Sequence, residues 1–154
     1  MFEPVKAEWH KRPWWMNGLF AFCLYMTFIY EPWDIFIKPP EQWEEVWLGF
    51  TLTGWTAKVT EPIHWAIYAF GAYGFWRMKS WMWPWAAVYC AQVTIAMVIF
   101  NIIAGPEFGD DRGGGPIASV VIGLFLAVLT YHLWRARALF ENRVSNSAGS
   151  AEKD

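Results

Sequence analysis

"WAAVYCAQVTIAMVIFNIIA", Trp85 to Ala104, runs for 20 residues without one Asp, Glu, Lys or Arg. The hydrocarbon core of a bilayer is crossed by a helix of about 20 apolar residues. The stretch therefore reads as a membrane span, entered through Pro84. Proline suits a first helical turn because the N–H it lacks has no helical partner there. Three further apolar runs begin in the same way: Trp14 to Tyr30 after Pro13, Ile63 to Trp76 after Pro62, and Ile117 to Trp134 after Pro116. The last is near full length, the first slightly short and the second clearly short.

Composition agrees with that reading. Of 154 residues, 56% are hydrophobic and 17% charged, where soluble domains carry about 25% charge. Thirteen residues are tryptophan, a side chain that concentrates at membrane interfaces with its ring buried and its N–H wet. The net charge of −2 offers no basic field, so nucleic acid is not expected as a partner. Cys23 and Cys90 fall inside apolar runs without zinc-ligand spacing and read as small buried residues.

Together these observations predict an all-α fold, a polytopic four-transmembrane-helix bundle with helices over about 14–30, 61–78, 84–104 and 116–135. They form a single domain over 1–140, and the polar segment 141–154 is expected to be a flexible cytoplasmic tail. The first run has basic residues before it but large aromatics within it and no small-residue cleavage site after it, so it reads as an uncleaved span. Basic residues set the orientation. Lys6, Lys11, Arg12, Arg77, Lys79, Arg135, Arg137, Arg143 and Lys153 fall on one side, and only Lys38, Lys58 and Arg112 on the other. Positive residues stay cytoplasmic, which predicts a multi-pass cell-membrane protein, as in a bacterial inner membrane, with both termini inside. The outer side is acidic.

Within the first outer loop, "EQWEEVWLGFTLTGW", Glu41 to Trp55, sets Trp43, Val46, Trp47, Phe50 and Gly54 on one helical face. Glu41, Glu44 and Glu45 point away from that face. This predicts an interfacial helix over about 42–55, with its acidic start in water.

Candidate chemistry centres on "TEPIHWAIYAF", Thr60 to Phe70. Thr60 or Glu61 can cap a helix at the wet interface, and Lys58 can neutralise Glu61. Alternatively Glu61 and His64 face the bundle, where ionisable residues mark binding sites or pathways. Glu31 and Asp34, in "YEPWD", and Asn101 lie at the same depth. The expected ligand-binding set is therefore Glu31, Asp34, Glu61, His64 and Asn101, with Glu61, His64 and Asp34 as catalytic candidates should the protein be an enzyme. His64 and His132 sit at opposite depths, which argues against one haem between them. The loop from Gly105 to Pro116 lacks the ligand spacing of an EF-hand. No cofactor and no metal are expected. Membrane lipid is the expected partner, and the small-residue stripe Ser119, Gly123, Ala127 is expected to form a close helix contact, within the bundle or with a protein partner or second copy.

Four helices with acids near their outer ends are similar in architecture to the sterol-isomerase and sigma-2-receptor group of membrane proteins, though no sequence motif carries the likeness. It implies intramembrane acids acting on a lipid-like ligand. An ion or proton transporter is disfavoured by a short chain with no broken-helix repeat unless it oligomerises, and two functions lead as expectations. One is a non-catalytic subunit or lipid-binding component of a membrane assembly. The other is a small membrane enzyme or receptor for an isoprenoid- or sterol-like molecule.

Overall fold

The computed structural model describes residues 9–10, 12–103 and 115–141, with the backbone alone for 101–103 and 115–119. The chain is predominantly helical. Helix α1 spans Trp14–Tyr25, passes through a π-helical turn at Met26–Tyr30, and continues as α2, Glu31–Phe36. Pro32 explains the wide turn. Its ring crowds the carbonyl one turn back and it has no N–H to donate, and a π turn opens the backbone at that place. The Thr27 carbonyl in this turn accepts a hydrogen bond from Trp65 Nε1 at 2.8 Å.

The predicted interfacial helix over about 42–55 is overturned. Glu44–Trp47 and Phe50–Thr53 form an antiparallel hairpin, β1 and β2, with Glu45 opposite Leu52 and Trp47 opposite Phe50. Its two-residue turn, Leu48 and Gly49, has φ of 53° and 90°. Positive φ at both central residues is the type I′ pattern, whose twist matches paired strands. Val46, Thr51, Thr53, Trp47 and Phe50 are also strand-favouring side chains. The segment therefore alternates with a period of two rather than 3.6. The short helix α3, Trp55–Lys58, follows.

Helix α4 spans Glu61–Arg77 and ends at Met78 in the left-handed conformation. The Lys79 N–H bonds back to the Gly74 carbonyl at 3.0 Å, which tightens the turn into α5. Gly74 leaves room there for the Met82 thioether, which a Cβ would displace. Helix α5 spans Met82–Ile103, with regular geometry after the non-helical Trp83, and α6 spans Gly115–Arg135. A last helical turn covers 137–141.

Neighbouring helices run in opposite directions. Arg12, just before α1, donates from Nη1 to the carbonyls of Phe75 and Trp76 at 3.0 and 2.9 Å, capping the far end of α4. Trp83 at the start of α5 donates to the Trp134 carbonyl near the end of α6 at 2.9 Å. The best-packed core lies at this tryptophan-rich end, where Met16, Phe75, Met82, Leu133 and Phe140 are buried together. At the opposite end three carboxylates, Glu31, Asp34 and Glu61, are buried.

Helix α5 is long and apolar enough over Met82–Phe100 to cross a membrane. On the stripe in α6, Gly123 has open space where a Cβ would sit and Ala127 is exposed, so the expected close packing of this face within the bundle is not found among the described residues. The side chain of Ser119 and the segment 142–154 lie outside the described residues.

Candidate functional site

The acidic end is assembled from three separate pieces of chain. Glu31 and Asp34 sit three residues apart on α2, and so share a face. One turn on, Lys38 Nζ lies 2.7 Å from Asp34 Oδ1. Lys58, at the end of α3, places Nζ 2.9 Å from Glu61 Oε2 and donates to the Asp34 carbonyl at 2.7 Å. Lys58 thus ties α2 to the start of α4.

The hairpin supplies the third piece. Residues two apart on a strand share a face, and Glu45 and Trp47 both reach His64 on α4. His64 Nδ1 lies 2.6 Å from Glu45 Oε1, and the Trp47 ring stacks on the imidazole at 4.1 Å with 9° between the planes. The hairpin tip rests on α5. A Cβ on Gly49 would lie 2.6 Å from Ile99 Cβ and 2.7 Å from the Ala96 carbonyl, so only glycine permits this approach.

Burial at this end is severe: Glu31 is 3% exposed, Asp34 1% and Glu61 0%. Burial, reinforced by the neighbouring Glu45, pushes the Glu31 carboxyl up to about 7, against the pull of His64. Among the described residues neither Glu61 oxygen receives a hydrogen bond, and the buried Trp47 N–H finds no acceptor. One oxygen each from Asp34, Glu45 and Glu61 can be chosen so that all three lie within 4.8 Å of one another. Buried ion pairs are weak contributors to stability, because removing charge from water costs about as much as the pair returns.

From His64 a row of aromatic rings leads inward. Tyr68 follows at 6.5 Å between centroids, and Tyr89 stands edge-on to Tyr68 at 6.5 Å. Both tyrosines line a cavity of about 860 Å³. Helices α4 and α5 pack sparingly on one another, and the cavity occupies the wedge between them. Leu19, Phe22, Tyr73, Trp85, Val93 and Leu126 are among its walls, which are almost wholly apolar.

Among the residues singled out in the sequence, Glu31, Asp34, Glu61 and His64 come together here. Lys58 pairs with Glu61, as its spacing suggests. His64, however, takes Glu45 as its partner rather than Glu61. Thr60 makes no side-chain capping bond, and Glu61 is buried rather than at a wet helix start. The Asn101 side chain lies outside the described residues. Sequence reasoning missed Glu45 and Trp47, because a helical reading put them on different faces. The two-residue alternation and Gly49 were the available signals. His132 contacts Trp15 at 6.0 Å between rings, at the far end of the bundle from His64. No protein-family model, curated protein or solved structure matches the chain.

Proposed function

We propose that this chain is a multi-span membrane protein that binds a lipid-like molecule, its apolar body in the cavity and its polar head beside Tyr68, Tyr89 and Glu31. The cavity carries this reading. At about 860 Å³ it has the size of a small-ligand site, and such sites are mostly apolar with a few polar groups at one end. A water-filled space of that size would need polar partners that its walls do not offer. The Trp47 N–H, buried without an acceptor, is available to an oxygen of the head group.

Membrane residence is supported by α5 and by the apolar side chains the bundle turns outward. Phe28, Phe70, Ile95, Leu124 and Phe125 are each at least 60% exposed, a surface that water does not tolerate over so large an area. Four crossings with both termini cytoplasmic remain the topology that best accounts for the charge split along the sequence. A reporter fused after Asp154 should read as cytoplasmic and one inserted at Gly114 as external.

The binding reading is tested by extraction in mild detergent, followed by mass spectrometry of the intact complex. A stoichiometric lipid-like adduct is expected. It should be lost from Ala86→Trp, which fills the cavity, with helix content retained. An adduct equally abundant in Ala86→Trp would refute the cavity as its location.

A second reading, a membrane enzyme, is favoured by the His64–Glu45 pair. A carboxylate that orients an imidazole is an arrangement general acid–base chemistry uses, and His64 stands 6.5 Å from Tyr68 of the cavity wall. Asp34, Glu61 and His64 are then its catalytic candidates. Turnover of the co-purifying molecule by the native chain, abolished in His64→Gln, distinguishes this from a lipid-binding component of an assembly.

A further inference from the structure

We propose that Asp34, Glu45 and Glu61 bind a hard divalent cation, Ca²⁺ in preference to Mg²⁺. The inference deepens the reading of the acidic end as part of a binding site, but it needs no bound lipid.

Geometry comes first. Oxygens of the three carboxylates lie within 4.8 Å of one another. Ca²⁺ takes oxygen ligands at about 2.3–2.6 Å, so oxygens on opposite sides of it stand about 5 Å apart. Mg²⁺ demands near-ideal octahedral angles and gives up its waters reluctantly, which suits a dry cluster of three carboxylates less well. Carboxylate oxygens select hard ions over zinc or copper.

Glu61 supplies an independent observation. Its side chain is 0% exposed, yet neither oxygen receives a hydrogen bond. Lys58 stands 2.9 Å from Oε2 as its ion-pair partner, while no donor among the described residues serves Oε1. A buried acceptor left in this state is costly. A cation among the three carboxylates would complete it.

Lys38 Nζ lies 2.7 Å from Asp34 Oδ1 and Lys58 Nζ 2.9 Å from Glu61 Oε2, so a bound cation would share these carboxylates with the two ammonium groups. His64 spends Nδ1 on Glu45 Oε1, and so aims a carboxylate, as groups behind metal ligands commonly do.

Equilibrium dialysis of the chelator-treated full chain in detergent, with Ca²⁺ or Mg²⁺ and metal analysis of the protein fraction, tests the proposal. About one Ca²⁺ per chain is expected, with Mg²⁺ at least tenfold weaker. Glu61→Gln and Glu45→Gln should each weaken Ca²⁺ binding at least tenfold. Glu141→Gln, an exposed acid paired with Arg137, should leave it unchanged. Helix content by circular dichroism verifies each variant, and Asp34→Asn substitutes for any that fails to fold. Absence of Ca²⁺ uptake by the native chain would overturn the proposal, as would equal uptake by the folded Glu61→Gln protein. Lipid measured in the same samples separates the two readings. Ca²⁺ without lipid refutes only the cavity ligand, and lipid without Ca²⁺ refutes only the cation site.

Discussion

Gly49→Ala should detach the hairpin from the helices without unfolding them. Gly49 has φ of 90°, and a left-handed conformation costs an L residue about 1–2 kcal/mol. The added methyl would meet Ile99 Cβ and Cγ2 at 2.6 Å and the Ala96 carbonyl at 2.7 Å. Overpacking of this kind costs about 1–3 kcal/mol. The total, about 2–5 kcal/mol, falls on an element that has little stability of its own, since an isolated two-stranded hairpin is marginal at best. The strands should therefore lift from α5 and carry Glu45 and Trp47 away from His64. Hydrogen exchange read by mass spectrometry is the direct assay. Amides in 44–53 should lose at least about thirtyfold in protection, the equivalent of about 2 kcal/mol, while those of α4 and α5 hold. Unchanged hairpin exchange would refute the seating of the tip on Ile99. Equal loss across the helices would show that the hairpin is part of one cooperative core.

Arg12→Met should lower stability by about 2–4 kcal/mol, because the buried carbonyls of Phe75 and Trp76 and the Asn17 amide oxygen lose their donor; chemical unfolding in detergent measures it. Gly74→Leu should prevent folding, since the α4–α5 turn has no room beside Met82, whereas Gly123→Leu should leave the isolated chain intact. A change in oligomeric state on size exclusion for Gly123→Leu would locate a partner on that open face. Glu31 favours its protonated form in the fold, with its carboxyl raised from 4.5 to about 7. Its stabilising contribution is therefore complete below about 4.5 and lost as pH rises through about 7. Glu31→Gln should flatten the decline in stability between about pH 5 and pH 8, and parallel pH profiles of variant and native protein would refute that assignment.

Helix positions were legible from the chain because they depend on near neighbours. Prolines at 13, 62, 84 and 116 and the apolar runs after them placed the starts of α1, α4, α5 and α6 within a residue or two. The i, i+3 spacing likewise brought Lys58 onto Glu61, and put Glu31 and Asp34 on one face. The segment from Glu41 to Trp55 misled because its apolar residues satisfy a helical stripe as well as a strand alternation, and local pattern alone does not choose between them. Tertiary structure decided for the hairpin: α5 offers Ile99 and Ala96 as a seat only a glycine can approach, and His64 offers Glu45 a proton donor and Trp47 a flat ring. The site depends on that decision, since it joins carboxylates 11 and 16 positions apart along the chain, Asp34 to Glu45 and Glu45 to Glu61. The cavity was equally out of reach of the sequence. It exists because α4 and α5, adjacent in the chain and joined at the Gly74–Met82 contact, diverge beyond their turn while α1 and α6 close the sides, and a void is a property of the space between helices that no single segment encodes.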